Sequence, residues 1–156
     1  MSWRLLINIF FILEWSRTGA SIVLPQIYEE SIGEMKHADL IIERVLLLDG
    51  LPNLQDLGKL KIGEDVEEIF SSDLSLEMTN QSCLKVAIKH CEEKHDYVTR
   101  EIFQRILNDT EEHIDWIETQ QSRIEKVGIQ NFLQEEMYEK EGWFFEWLKA
   151  PIEAGQ

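Results

Sequence analysis

Residues 34–37 read Glu-Met-Lys-His, which places a carboxylate and an imidazole three positions apart within a helical pattern. Positions i and i+3 of a helix lie on nearly the same face, so Glu34 and His37 point the same way. Glu34 also follows Ile27 by seven residues and precedes Ile41 by seven, so it shares the apolar stripe that this spacing predicts to be buried. A buried carboxylate needs a partner or a metal ion. Because the motif is short, a solvated glutamate beside a boundary histidine is the alternative interpretation.

Composition indicates one acidic, globular domain. The chain has 156 residues, of which 44% are hydrophobic and 29% charged, and its formal net charge is −15. Such a surface repels nucleic acid and anionic lipid and attracts cations, so we expect neither a nucleic-acid nor a membrane partner. The two cysteines, Cys83 and Cys91, lack a Cys-x-x-Cys spacing. This favours reduced thiols in the cytoplasm and argues against a zinc site.

The apolar spacing predicts an all-α fold. One helix is expected from Pro25 to about Leu48, with Gly50 as its C-terminal cap. A long connection over residues 51–63 then predicts a traverse between helices that are not antiparallel neighbours. Further helices are expected from about residue 64, over 96–127, and over 130–140. The polar run Thr-Asn-Gln-Ser at 79–82 is a weak point at which the pattern permits a break.

Two more polar residues share the buried stripes of the later helices. Glu77 continues the stripe of the second long helix, and His113 follows Ile106 by seven residues and precedes Ile117 by four. Three helices therefore direct carboxylates or imidazoles toward one core. Carboxylate and imidazole without thiolate suit iron, manganese or zinc, and di-metal carboxylate four-helix bundles use this kind of set.

The sequence resembles the bacterioferritins, the haem-containing ferritins of bacteria. The resemblance covers about residues 28–137, with 1–27 a divergent N-terminal segment and 138–156 an aromatic C-terminal tail. The matching stretches are 28–39, 42–46, 51–60, 62–68, 95–98, 113–116 and 128–131. The family implies a ferritin-like four-helix bundle with a short fifth helix, assembled into a hollow cage of twenty-four subunits. It also implies oxidation of Fe(II) by dioxygen or peroxide at a di-iron centre, storage of the ferric mineral, and haem b shared between two subunits.

The resemblance assigns roles to individual residues. Glu34 is similar to the family's bridging carboxylate, and His37 to the imidazole on the same iron. Glu77 resembles the terminal carboxylate on the second iron, and His113 that iron's imidazole. Met35 resembles the haem ligand; it is rotated by about 100° from Glu34, so it faces a neighbouring subunit. Without the family, a methionine at that position would be read as core packing.

Two expected ligands are missing. The second Glu-x-x-His motif appears here as Thr110-Glu111-Glu112-His113, and a neutral hydroxyl is a poorer iron ligand than a carboxylate. Asp109, four residues before His113, is a possible substitute on the same face.

The other missing ligand belongs to the family's first helix, which is shortened or absent in the 27 residues before Tyr28. Glu14 is the one acidic residue there. The apolar run 5–13 after Arg4 predicts a short buried helix, with a secretory signal as the alternative. Either the N-terminus has diverged, or the start or reading frame differs. The aromatic tail is expected to pack on its own domain, with a partner or a membrane surface as alternatives.

Two functions follow from the resemblance. The first is an iron-storage subunit with ferroxidase activity. The second is a structural, haem-binding cage subunit with a defective ferroxidase centre, which Thr110 and the missing first helix favour.

Overall fold

A computed structural model describes residues 24–53 and 65–136. Helix α1 covers Leu24–Leu47, α2 covers Val66–Glu93 and α3 covers Tyr97–Val127. A further helix, α4, begins at residue 129 and continues to 136, where the description stops. Every regular element in these ranges is helical, which confirms the predicted all-α class. The predicted helix over 5–14, most of the 51–63 connection and the aromatic tail lie outside the described residues.

Helices α2 and α3 form an antiparallel pair with a short turn between them. The turn needs a left-handed residue, and His95 adopts φ 57°. Asp96 then caps α3 by accepting a hydrogen bond from the Thr99 backbone N–H at 3.1 Å. Asp65 caps α2 in the same way by accepting from the Glu68 N–H at 2.9 Å. Aspartate is among the best residues for this position because it satisfies an otherwise unpaired donor of the first turn.

The core of this helix pair is split into two apolar clusters. The cluster near the start of α2 and the end of α3 comprises Ile69, Phe70, Ile117, Ile124 and Phe132. The cluster near the turn comprises Leu84, Ile88, Ile106 and Leu107. Between them, α2 and α3 bury one apolar residue, Leu76, and four polar ones: Asp73, Glu77, Thr110 and His113. The apolar ends stabilise the pair, and the polar middle is where a site can form.

Helix α2 continues through the polar run at 79–82, so the break that the pattern permitted is wrong. Thr79 donates its hydroxyl to the Ser75 carbonyl at 2.8 Å, and Ser82 donates to the Met78 carbonyl at 2.9 Å. These bonds to the preceding turn satisfy the hydroxyls without interrupting the helix. Both residues also lie on the exposed face, where a polar side chain costs little.

The end of α1 differs slightly from the prediction. The Gly50 N–H donates to the Val45 carbonyl at 2.8 Å, as expected of a capping residue. The left-handed residue, however, is Asp49, with φ 57°. Aspartate tolerates this conformation better than most residues. At the other end of the described fold, Gly128 ends α3 with φ 80°, as predicted.

Of the described helices, none carries the long apolar run that a membrane-spanning segment needs.

Arg44 fastens α1 to the start of α3. Its Nε donates to Thr99 Oγ1 at 2.8 Å, and its Nη2 donates to Asp96 Oδ1 at 2.9 Å. The Arg44 side chain is largely buried, whereas Leu46 and Leu47 beside it are exposed. Because the end of α1 buries little apolar surface, these charged and hydroxyl contacts set its position against α3.

We expect Arg44→Ala to lower the free energy of unfolding by about 1–3 kcal/mol, because it removes a hydrogen-bonded charge pair and leaves Asp96 with fewer partners. Hydrogen exchange should accelerate more in α1 than in α2 or α3. Arg105→Ala, which removes an exposed arginine of α3, is the matched control. Equal loss of protection in all three helices would contradict this role for Arg44.

Candidate metal centre

Polar side chains from three helices meet between the two apolar clusters. Helix α1 contributes Glu34 and His37, with side chains 13% and 10% exposed. Helix α2 contributes Glu77, and α3 contributes His113, which are 1% and 7% exposed. All four predicted metal ligands therefore lie at the interior of the bundle. Their role as ligands stays a prediction.

His37 lies between two carboxylates. Its Nδ1 is 3.1 Å from Glu34 Oε1, and its Nε2 is 2.8 Å from Asp109 Oδ2. The hydrogen bond to Glu34 raises the pKa of His37, burial opposes this, and Asp109 adds to the increase. A doubly protonated ring satisfies both contacts by donating to each carboxylate.

Asp109 therefore contacts the imidazole of α1. The sequence suggested that it shares the face of His113 and takes the place of the missing ligand there. Its side chain is 48% exposed and bonds His37 Nε2, the ring nitrogen opposite Glu34. A carboxylate in that position orients a histidine whose other nitrogen faces a metal site.

His113 has the opposite environment. Its Nδ1 is buried and has no hydrogen-bond partner. Glu30 Oε1 lies 3.6 Å away, beyond hydrogen-bond length. Burial lowers the pKa of His113 to about 4, although the negative charge of Glu34 opposes the shift. The ring stacks on Trp116 with centroids 5.8 Å apart and planes 9° apart, which fixes its orientation. This imidazole is neutral at neutral pH.

Glu77 is the most deeply buried carboxylate of the site. Its Oε2 has no hydrogen-bond partner. Burial raises the pKa of Glu77 to about 8, and the negative charges of Glu34, Asp73 and Glu30 add to the shift. One turn earlier, burial raises the pKa of Asp73 to about 7. Glu77 therefore retains its proton at neutral pH, and Asp73 loses its own only near pH 7.

Thr110 lies on the same inward face as His113, one turn before it, and is 3% exposed. Thr110, which stands where the resemblance predicts a metal-binding carboxylate, therefore faces the site. Two residues near the site were missed from the sequence: Glu30 and Asp73. A signal for both was available, because Glu30 precedes Glu34 by four residues and Asp73 precedes Glu77 by four, the spacing of neighbours on one helix face.

The donors fit a divalent cation in kind and in burial. Within residues 24–53 and 65–136, no three His, Cys, Asp or Glu side chains are already arranged so that they could hold a metal ion. Binding would therefore require side-chain rotations. The unpartnered atoms Glu77 Oε2 and His113 Nδ1 are nevertheless the kind of buried polar groups that a metal ion satisfies. Glu14, the acidic residue of the N-terminal segment, lies outside the described residues.

Met35 lies away from this site. Its side chain is 40% exposed, whereas Glu34 beside it faces inward. This agrees with the predicted rotation between the two residues. An exposed thioether on the outside of the bundle is compatible with a haem ligand shared at a subunit contact.

Comparison with known proteins gives a ferritin-like domain and relatives named bacterioferritins, in agreement with the resemblance found in the sequence. The model of the ferritin-like domain matches residues 22–127. The chain is 46% identical over 101 residues to a bacterioferritin of Mycobacterium avium, covering 65% of this chain and 64% of that protein. It is 40% identical over 106 residues to a bacterioferritin of Brucella melitensis, covering 68% of this chain and 66% of that protein. The chain thus spans slightly less than two thirds of the length of the curated relatives that it matches.

The protonation of the site predicts how the stability of metal-free protein depends on pH. A carboxyl whose pKa is higher in the folded than in the unfolded state holds its proton more tightly when folded, which stabilises the fold at low pH. This contribution is lost as the pH rises through the pKa of the folded state. Between about pH 6.5 and 8.5, the raised pKa of Glu77 should therefore cost about 1–2 kcal/mol of unfolding free energy. Asp73 and His37 act in the same direction. His113, with its lowered pKa, contributes little above pH 6.5.

Chelator-treated Glu77→Gln protein should lose less stability than wild type over this pH range in urea unfolding. Glu101→Gln, at an exposed position of α3, should behave like wild type. The same pH dependence in all three proteins would contradict the assigned protonation of Glu77.

Proposed function

The chain belongs to the ferritin-like domain family, and we propose that it is an iron-storage subunit of the bacterioferritin kind, which takes Fe(II) as its substrate at the polar centre of the bundle. The two unpartnered, buried donors of α2 and α3, Glu77 Oε2 and His113 Nδ1, carry this proposal. Its other support is the similarity to proteins named bacterioferritins.

The protonation states suit uptake of a cation. His113 is neutral, so it offers a lone pair without first losing a proton. The raised pKa of Glu77 keeps its carboxyl protonated at neutral pH, so an arriving cation would displace that proton and gain a buried carboxylate. Asp109 holds His37 by its Nε2, which directs Nδ1 toward Glu34. Oxidation of Fe(II) delivers one electron per ion to dioxygen or peroxide, and the ferric product is stored as mineral.

Assembly and haem binding belong to the same proposal. A homo-oligomeric cage of twenty-four subunits would provide the cavity for the mineral, and Met35 would hold haem b at a contact between two subunits. The exposed apolar side chains of α1, Met35, Leu46 and Leu47, support burial of this helix surface against another subunit. A cytoplasmic location is supported by the cysteines, since Cys83 and Cys91 are both free.

The second candidate is a haem-binding cage subunit whose ferroxidase centre is defective. It is favoured by Thr110, which puts a neutral hydroxyl where the family has a metal-binding carboxylate. Such a subunit would assemble, bind haem through Met35 and add cage volume, either alone or beside intact subunits, without rapid oxidation of Fe(II).

We expect purified, assembled protein to oxidise Fe(II) in air and to retain the iron during size-exclusion chromatography. Thr110→Glu should increase the initial rate by about tenfold, because it restores a carboxylate beside His113. Thr110→Gln has similar size without the charge and should give no increase. Stopped-flow absorbance at about two irons per chain measures both rates. Assembly without rapid oxidation would favour the second candidate, and failure to retain iron would contradict storage.

We expect Met35→Leu to abolish haem binding while leaving Fe(II) oxidation intact, because leucine preserves the side-chain volume and lacks the sulfur ligand. The haem absorption of purified protein, per chain, is the measurement. Met78→Leu, an exposed methionine of α2, is the matched control. Equal haem content in the two variants would contradict the role of Met35 as the haem ligand.

A further inference from the structure

We propose that α4 orients the imidazole of His113 from outside the polar centre, because Arg123 holds Phe132 of α4 in place and Phe132 begins a series of ring contacts that ends on His113. The intermediate rings are those of Phe70 in α2 and Trp116 in α3. We call these four rings the aromatic column. The inference goes beyond the proposed function, since it concerns the metal-free protein and holds whether or not the centre takes Fe(II).

The aromatic column connects three helices through direct ring contacts. Phe132 and Phe70 meet edge to face with centroids 6.5 Å apart, and Phe70 meets Trp116 in the same way at 5.7 Å. Trp116 then stacks on His113 at 5.8 Å. Separations of about 4.5–7 Å are those at which edge-to-face and stacked rings attract each other. Phe70 and Phe132 are each 1% exposed, so neither ring can move without displacing its neighbours.

His113 depends on this packing for its orientation. Its Nδ1 makes no hydrogen bond to any residue that the structure describes, and its side chain is buried. A ring contact with Trp116 is therefore a main constraint on the rotation of the imidazole. Whatever fixes the position of Trp116 consequently fixes that of His113 as well.

Arg123 fixes the end of the aromatic column that belongs to α4. Its guanidinium lies over the Phe132 ring, with Cζ 5.2 Å from the centroid, which is a cation–π contact. Its Nη1 donates to Glu136 Oε1 at 3.0 Å, and its Nη2 donates to Glu135 Oε2 at 3.2 Å. Nη1 also donates to Gln120 Oε1 at 2.7 Å, which orients the guanidinium from its own helix. One residue of α3 thus holds a ring and two carboxylates of α4.

The two glutamates of α4 are unequal partners of Arg123. The side chain of Glu136 is 10% exposed, whereas that of Glu135 is 55% exposed. An exposed ion pair contributes little because water and salt screen it, and breaking a buried pair is costly because it leaves a charge unpaired. Arg123 and Phe132 are therefore the positioning residues, and Glu136 is the main anchor of Arg123. Glu135 offers the same chemistry without the burial.

The test measures the reactivity of each histidine in the whole chain after treatment with a chelator. Diethyl pyrocarbonate modifies accessible, neutral imidazoles, and mass spectrometry of peptides gives the rate at each of the four histidines. Arg123→Met keeps the length of the side chain and removes its charge. We expect it to raise the rate at His113 by at least about threefold, the order of effect of one aromatic contact. The rate at His37 should not change, because Glu34 and Asp109 hold that ring.

Three further variants separate this coupling from a general loss of stability. Glu136→Gln should act like Arg123→Met, because it removes the buried carboxylate. Glu135→Gln should behave like wild type. Ile124→Val alters the same apolar cluster outside the aromatic column and should not raise the rate at His113.

A double variant tests the path of the coupling. Trp116→Leu alone should increase the rate at His113, because it removes the stacked ring. If the effect of Arg123 reaches His113 through Trp116, adding Arg123→Met to Trp116→Leu should cause no further increase. Circular dichroism and thermal unfolding of each variant check that the helices are intact.

Three outcomes would overturn the inference. A wild-type rate at His113 in both Arg123→Met and Glu136→Gln would contradict the coupling. Equal increases at His37 and His113 would show a general loss of stability instead. Additive effects in the double variant would exclude Trp116 as the connection. Each of these results would leave the iron-storage proposal standing, because that proposal is tested separately by the oxidation and retention of iron.

Discussion

The structure depends on the burial of charged and polar groups in the middle of a helix pair. Glu77 and His113 are both buried on the facing sides of α2 and α3, and desolvation raises the pKa of the carboxyl and lowers that of the imidazole. Both shifts remove charge from the interior, which lowers the free-energy cost of burying these two groups. The apolar clusters around Phe70 and Ile106 then supply the stabilisation that the polar middle lacks. An apolar middle would hold the helices together better and would bind nothing.

The two histidines show how one site acquires two unlike ends. His37 contacts Glu34 and Asp109 with its two nitrogens, so its charged form is favoured. His113 lies against Trp116 in a desolvated pocket, so its neutral form is favoured. On the proposed function, a cation would compete with a proton at His37 and would meet an unprotonated nitrogen at His113. The carboxylates are distributed in the same unequal way: Glu34 and Asp109 lie 3.1 and 2.8 Å from His37, whereas Glu30 lies 3.6 Å from His113.

The position of α1 links stability to the site. Glu30 and Glu34 reach α2 and α3 only if α1 is held at the correct rotation and distance, yet this helix buries little apolar surface at its end. The contacts of Arg44 with Asp96 and Thr99 meet that need through charge and geometry. They also join α1 to the residue that caps α3, so the position of α1 is tied to the turn between α2 and α3.

The sequence by itself determined the helical class, the approximate bounds of the helices, the glycines near the ends of α1 and α3, and the inward positions of Glu77 and His113, because periodicity and helix termination are local properties of a chain. It also identified the family through residues matched along more than half its length. It misjudged the run at 79–82, where exposed hydroxyls bond back to their own helix. Only the tertiary structure decided which side chains share a site: Glu30 beside His113, and Asp109 against His37. Those pairings depend on the register and rotation of one helix against another, which spacing along a single helix does not specify.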